Sequence, residues 1–189
     1  IDVRILQRMA ERTASQILAA HLAQSRQREL LTARELQIAS HIQRSIQPSK
    51  APNVAHLEVA SYWQPAKSVG GDAWGWVKRS NGEIGCFILD VSGKGLPAAL
   101  AAVSLHTALK MALRLELSAT QVLEQVNEEF YDIYDRSDLL ATVCVMIINP
   151  EKRCLHQANA GHLPTLIRVN GEWTRLQATV PPIGTLPVI

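Results

Sequence analysis

Asp72-Ala73-Trp74-Gly75-Trp76-Val77-Lys78-Arg79-Ser80-Asn81-Gly82-Glu83-Ile84-Gly85-Cys86-Phe87-Ile88-Leu89-Asp90 is the stretch on which the fold turns. Two strand-like runs flank Ser80-Asn81-Gly82, and Asn-Gly in that position is a strong hairpin signal. With a three-residue loop, Arg79 pairs with Glu83, and an unbulged register brings Asp72 opposite Asp90. Facing residues of an antiparallel pair have Cβ atoms roughly 4.5–5.5 Å apart, and like charges there repel. Two carboxylates held so close call for a shared proton or a cation. Oxygen-only ligands favour Mg²⁺ or Mn²⁺ over zinc. A two-residue Asn-Gly turn instead shifts the register by one and puts the aspartates on opposite faces. In that alternative Asp72 caps a turn, Asp90 ends a strand, and they share no role.

Outward from the hairpin, Asp90-Val91-Ser92-Gly93-Lys94-Gly95-Leu96-Pro97 leads into a helix with Pro97 in its first turn. Ala101, Leu105, Ala108, Ala112 and Leu115 follow at 4-3-4-3 spacing and predict its buried face. Ser118 and Gln121 form a capping box, and Leu117 with Val122 a hydrophobic staple, so a second helix starts there. Val122, Val126, Phe130, Ile133 and Tyr134 are its predicted stripe. Further strands are expected at 56–64, 141–148, 153–158, 164–169 and 173–177, with turns at Asn149-Pro150-Glu151-Lys152 and Asn170-Gly171. Strands, paired helices and strands again argue for α+β layers.

Residues 3–47 contain no Gly or Pro and are rich in Ala, Leu, Gln, Arg and Glu, which predicts one long helix ended by Pro48. Its apolar residues, Ile5, Leu6, Met9, Ile17, Leu18, Leu22, Leu30, Leu31, Ile38, Ile42 and Ile46, recur at helical spacing. A lone helix cannot bury such a stripe against itself, so a second copy or another domain is expected beside it. The expected division is residues 1–47 as a signalling or linker helix and 48–189 as the site-bearing domain.

The 189 residues carry 19 Lys/Arg and 17 Asp/Glu, unevenly placed: residues 1–50 hold eight basic side chains against four acidic ones. The remainder is mildly acidic, which argues against nucleic-acid binding there. No uncharged apolar run is long enough to span a bilayer. Cys86, Cys144 and Cys154 are odd in number and lack Cys-x-x-Cys spacing. They read as buried thiols in a reducing cytoplasm, not as a disulfide framework or a zinc site. The first residue is Ile1. A start inside a longer natural chain is the expectation.

Val69-Gly70-Gly71-Asp72, the Asp90 to Ala99 segment, Asn127, Thr142, Asn159-Ala160-Gly161-His162-Leu163-Pro164 and Pro182-Ile183-Gly184 together resemble the metal-dependent (PPM-type) serine/threonine phosphatases, in particular their SpoIIE/RsbU-like branch. The resemblance covers about residues 45–186. It implies a layered α-β-β-α sandwich and a centre of two Mn²⁺ or Mg²⁺ ions. Asp72, Asp90 and the Val91 carbonyl would be ligands, with Asp72 and Asp90 as the catalytic pair. It implies hydrolysis of a phosphoserine or phosphothreonine on a bacterial regulator of the anti-anti-sigma type. Control would come from an upstream sensory domain through the N-terminal helix, whose last turns, Glu35 to Gln47, pack on the catalytic domain. A homodimer through that helix also follows. The chain departs from the pattern at Gly75, where many members carry a carboxylate. It also has no match to the family's Thr-Asp-Gly and late Asp-Asp/Asn motifs, so the expected sandwich is incomplete and the domain C-terminally truncated. A non-catalytic phosphatase-like module that binds a partner is the alternative.

Other candidates are weaker. Gly93-Lys94-Gly95 lacks the Ser/Thr and glycine spacing of a nucleotide loop and reads as a tight strand-to-helix turn. Ser92 lacks a Gly-x-Ser-x-Gly context. Asn159 and His162 read as structural hydrogen-bonding residues near the site. His162 as a catalytic acid is the less favoured role. Trp63, Trp74 and Trp76 read as hairpin packing.

Overall fold

In the computed structural model, which describes residues 3–65 and 68–189, the Asp72 hairpin forms with the three-residue loop. Strands β1 (Asp72–Lys78) and β2 (Ile84–Val91) are antiparallel, with Lys78 facing Ile84 and Asp72 facing Asp90. The Arg79 N–H donates to the Glu83 carbonyl at 2.9 Å, closing the loop as the sequence expects. β2 pairs with β3 (Ala141–Asn149) and β3 with β4 (Cys154–Ala160), giving one antiparallel sheet in the order β1-β2-β3-β4. A separate hairpin joins β5 (Thr165–Val169) and β6 (Glu172–Leu176).

Helices α2 (Leu96–Arg114) and α3 (Ala119–Arg136) connect β2 to β3 and cover one face of the sheet. Period-2 alternation selects that face. Ala73, Val77, Phe87, Leu89, Val143, Val145, Ile147 and Ala158 point into it and are buried. Leu105, Leu109 and Leu113 from α2 and Val122, Val126, Phe130 and Tyr134 from α3 fill the other side of the core. Each such fully buried side chain contributes about 1.5–3 kcal/mol. α2 is apolar and long enough to span a membrane by composition alone, but its apolar face is this core. At the start of α3 both bonds of the capping box form: Gln121 N–H to Ser118 Oγ at 3.2 Å and Ser118 N–H to Gln121 Oε1 at 2.9 Å.

Helix α1 runs from Val3 to Ile46. By compactness the chain divides at Ala39, residues 40–189 forming the larger unit. In the smaller unit Met9, Ile17, Leu18, Leu22, Leu30 and Leu31 are all more than half exposed. The side chains of Ile5 and Leu6 lie outside the described residues.

Three expectations need correction. Residues 56–64 form no strand; only a single Val54–Leu57 bridge occurs. Their composition suits a strand, but strands need a partner row of backbone groups, and none pairs with them here. Of the predicted α2 stripe, Leu105 and Ala112 are buried and Ala101 and Ala108 pack partly buried against the core, but Leu115 is half exposed, and the buried face centres on Ala98, Ala102, Leu105, Leu109 and Ala112. In α3, Ile133 is likewise half exposed beside the buried Tyr134.

Candidate active site

The second face of the sheet carries Trp74, Cys86, Ile88, Cys144 and Met146, and at one end Asp72 and Asp90. It lines an open groove of about 770 Å³ that also reaches His162. The pleat puts both aspartates on this face, because they are facing partners in the register. Partial burial, the hydrogen bond that a protonated Asp90 carboxyl makes to Asp72 and the charge of Asp72 push the Asp90 carboxyl up to about 6.

Backbone detail brings them together. A Cβ at Gly71 would fall on the Val91 carbonyl oxygen, so only glycine lets the chain ahead of Asp72 lie against the end of β2. The Gly71 carbonyl accepts the Val91 N–H at 3.2 Å. Beyond Val91, Gly93 and Gly95 have φ of 93° and 78°, the tight turn expected before α2. Ser92 is engaged structurally: its Oγ accepts the Leu140 N–H at 3.0 Å and its N–H donates to the Leu140 carbonyl at 2.8 Å. Lys94 is exposed.

Across the sheet the row continues from Asp90 to its β3 partner Thr142. Thr142 Oγ1 and His162 Nδ1 are 2.8 Å apart. His162 is fixed from its other side, its N–H donating to Asn159 Oδ1 at 2.8 Å, while Asn159 Nδ2 donates to the Leu163 carbonyl at 3.2 Å. Asn159 is fully buried, in the structural role expected. Burial lowers the His162 pKa and the nearby Asp72 charge opposes that shift, so His162 stands close enough to feel the pair. Thr142 as the neighbour of Asp90 was not legible from the hairpin alone; it needed the β2–β3 register.

Gly75 is on the opposite face from Asp72, three residues along a period-2 strand. A Cβ there would lie 2.7 Å from Phe87 Cε1 and 3.1 Å from His106 Nε2. An acidic side chain at 75 would enter the core beneath α2, not the groove. Among the described residues, no group of three or more His, Cys, Asp or Glu gathers to hold a metal ion. Two carboxylates and a threonine hydroxyl lie near the groove end, with the His162 imidazole beside them; the oxygens fit Mg²⁺ or Mn²⁺ in kind and supply part of a ligand set. Cys86 and Cys144 share this face as free thiols; burial and then the neighbouring Cys144 push Cys86 up to about 11, so it is neutral at pH 7. Trp63 Nε1 donates to the Asp72 carbonyl and Trp76 Nε1 to the Lys50 carbonyl, both at 3.0 Å, so these indoles pack and tie the hairpin.

Residues 80–188 match the family model described as "Stage II sporulation protein E (SpoIIE)", more than half of the chain. The chain belongs to the SpoIIE family. It is similar to two curated proteins of Bacillus subtilis (strain 168). It is 29% identical to "Phosphoserine phosphatase RsbP" over 82% of this chain and 40% of that protein, and 31% identical to "Phosphoserine phosphatase RsbU" over 69% of this chain and 38% of that one. The chain thus spans about two fifths of the length of these relatives. Among solved structures, the SiaA-PP2C domain of Pseudomonas aeruginosa shares the fold with a TM-score of 0.68 at 20% identity, over 82% of this chain and 64% of that one. The α+β layering is therefore that of a SpoIIE-family chain, sharing its fold with the SiaA-PP2C domain, with a four-stranded sheet covered on one face by a helical layer.

Proposed function

We propose that this chain is the metal-gripping part of a phosphoprotein phosphatase. The observation that carries the reading is Asp72 facing Asp90 on one end of an exposed sheet face, in a chain of the SpoIIE family. Asp72 and Asp90 would hold two divalent ions, Mg²⁺ or Mn²⁺, with the Val91 carbonyl as a further oxygen donor. When bound, such ions supply a water acidified to near-neutral pKa and positive charge against the phosphoryl oxygens. The chain's own residues do the rest. Asp90 and Asp72 orient the ions by being locked in register. Thr142 Oγ1 holds Nδ1 of the His162 ring at 2.8 Å, leaving Nε2 as the ring's second nitrogen. The groove beside them admits an extended phosphopeptide. The substrate is a phosphoserine or phosphothreonine on a small bacterial regulator of the anti-anti-sigma type, in keeping with the phosphoserine phosphatases it resembles. Control enters through residues 1–47 from an upstream sensory domain, with residues 48–189 as the partial phosphatase domain. The exposed stripe of α1 suits pairing with a second copy. The three free cysteines accord with the cytoplasm.

The experiment is Mn²⁺-dependent phosphate release from a phosphoserine peptide by the full-length protein. Asp72→Asn is expected to lower it by a hundredfold or more, and undiminished release rejects Asp72 as a ligand. The small number of acidic groups at the site favours a second reading, a partner-binding module without chemistry. That reading requires tight capture of a phosphoprotein by the full-length protein with no phosphate released at any Mn²⁺ concentration.

A further inference from the structure

β1 is an outer strand of its sheet, so only alternate backbone groups face β2. The Val91-to-Gly71 bond sets residue 71 inward and residues 70, 72 and 74 outward. Such an outward row is ordinarily left to water or to another strand. Here side chains meet it. The Gln43 amide takes both groups of Gly70: Nε2 donates to the carbonyl at 2.5 Å and Oε1 accepts the N–H at 3.1 Å. Trp63 takes the Asp72 carbonyl, and Gln47 Oε1 accepts the Trp74 N–H at 3.2 Å.

Gln43 is 1% exposed while its helix neighbours Ile42 and Arg44 face solvent. A buried amide whose donor and acceptor are both satisfied by the backbone of one residue, through its two flanking peptides, is a directional restraint. What it restrains is the softest part of the segment. Gly70-Gly71 has no side chains to pack, and glycine has the most backbone freedom to lose. Asp72 follows directly.

Resting on the metal-site reading above, we propose that Gln43 is a positioning residue for that site. Its amide fixes both peptides flanking Gly70 and so aims the Asp72 carboxylate at the position it shares with Asp90. Gln47 acts likewise one turn later, at Trp74. The last turn of α1 is thereby part of the frame of the site without touching the reacting atoms. Residues that orient a ligand in this way typically change metal affinity by about 10–100-fold when removed.

The test is Mn²⁺ titration calorimetry on the full-length protein as wild type, Gln43→Met, Gln47→Met and Asp72→Asn, with thermal melts and hydrogen exchange of residues 70–74. Gln43→Met is expected to weaken Mn²⁺ binding about tenfold. It should also speed exchange at 70–74 and lower kcat on a phosphoserine peptide, with KM changed by less than about twofold. Gln47→Met, a milder change at a half-buried site, shifts the same readouts in the same direction by less, and it decides the matter if Gln43→Met does not fold. Wild-type Mn²⁺ affinity in whichever variants fold overturns the positioning role while leaving the site intact, provided Asp72→Asn abolishes binding. Wild-type affinity in Asp72→Asn overturns the site reading and this one with it.

Discussion

Two facing aspartates are a cost to the metal-free fold. The Asp90 pKa of about 6 lies above its ordinary 3.8, so the folded state resists its charged form. The sign follows: the penalty is absent below the ordinary value and fully present above the raised one. Asp90→Asn is therefore expected to stabilise the metal-free protein at pH 7 by about 1 kcal/mol, after allowance for solvent screening at an exposed position. Urea unfolding reads this; a loss of stability would show that the pair does not repel. The same variant should abolish Mn²⁺-dependent phosphate release. Gly75→Asp tests the other acidic position of the family pattern. The new carboxyl would meet Phe87 and His106 in the core, so a loss of about 3 kcal/mol with no gain in Mn²⁺ affinity is expected. Tighter Mn²⁺ binding would mean that strand β1 can turn this residue toward the groove. The aspartate pair was legible in the sequence as one of two registers: Asn81-Gly82 marks the turn, but a three-residue rather than a two-residue loop is what sets Asp72 opposite Asp90. His162 and Thr142 were visible as residues, but their contact depends on a strand that lies fifty residues further on. Gln43 was legible only as one position within the Glu35 to Gln47 segment expected to pack on the domain; a glutamine there looks like any solvated position, and only the Gly70 backbone reveals its use.

At the scale of elements, the cap of α3 was readable because its chemistry is local. Ser118→Ala removes the Oγ that accepts the Gln121 N–H and should cost about 1 kcal/mol. A melting temperature unchanged within error would show that α3 is held by packing alone. The face of α2 was placed slightly off for an equally physical reason. Ala fills so many of its positions that burying neighbouring stripes removes similar apolar area, and Leu109 and Leu113 draw the buried face to their side of Leu105 and Ala112. The run at 56–64 has the residues of a strand but no partner, and composition cannot supply one. Strand ends elsewhere fell within one or two residues of expectation, as for β6 at Glu172–Leu176.

For the molecule as a whole, His106 links the core to pH. Its ring is buried edge-on to Phe87 with centroids 5.2 Å apart, and burial, then the charge of Lys110, lowers its pKa to about 4 from 6.5. The folded state holds it neutral, while the unfolded chain protonates it as pH drops through 6.5. Its contribution is present above 6.5 and is lost on acidification toward 4. Between pH 6.5 and 5 the wild type should lose about 1.5 kcal/mol relative to His106→Phe, a comparison that removes the opposing trend of Asp90. Parallel stability curves for the two proteins would contradict it.

The turn of the β1–β2 hairpin has its own anchor. The nearly buried guanidinium of Arg79 bonds Glu83 and reaches the Leu115 and Leu117 carbonyls between α2 and α3, at 2.7 and 2.8 Å. One extremity of the ribbon is thus pinned to the helical layer, and the opposite extremity is gripped by two glutamines. The ribbon that carries the two aspartates is thus anchored by side-chain hydrogen bonds at both extremities, as well as by its ladder with the neighbouring strand.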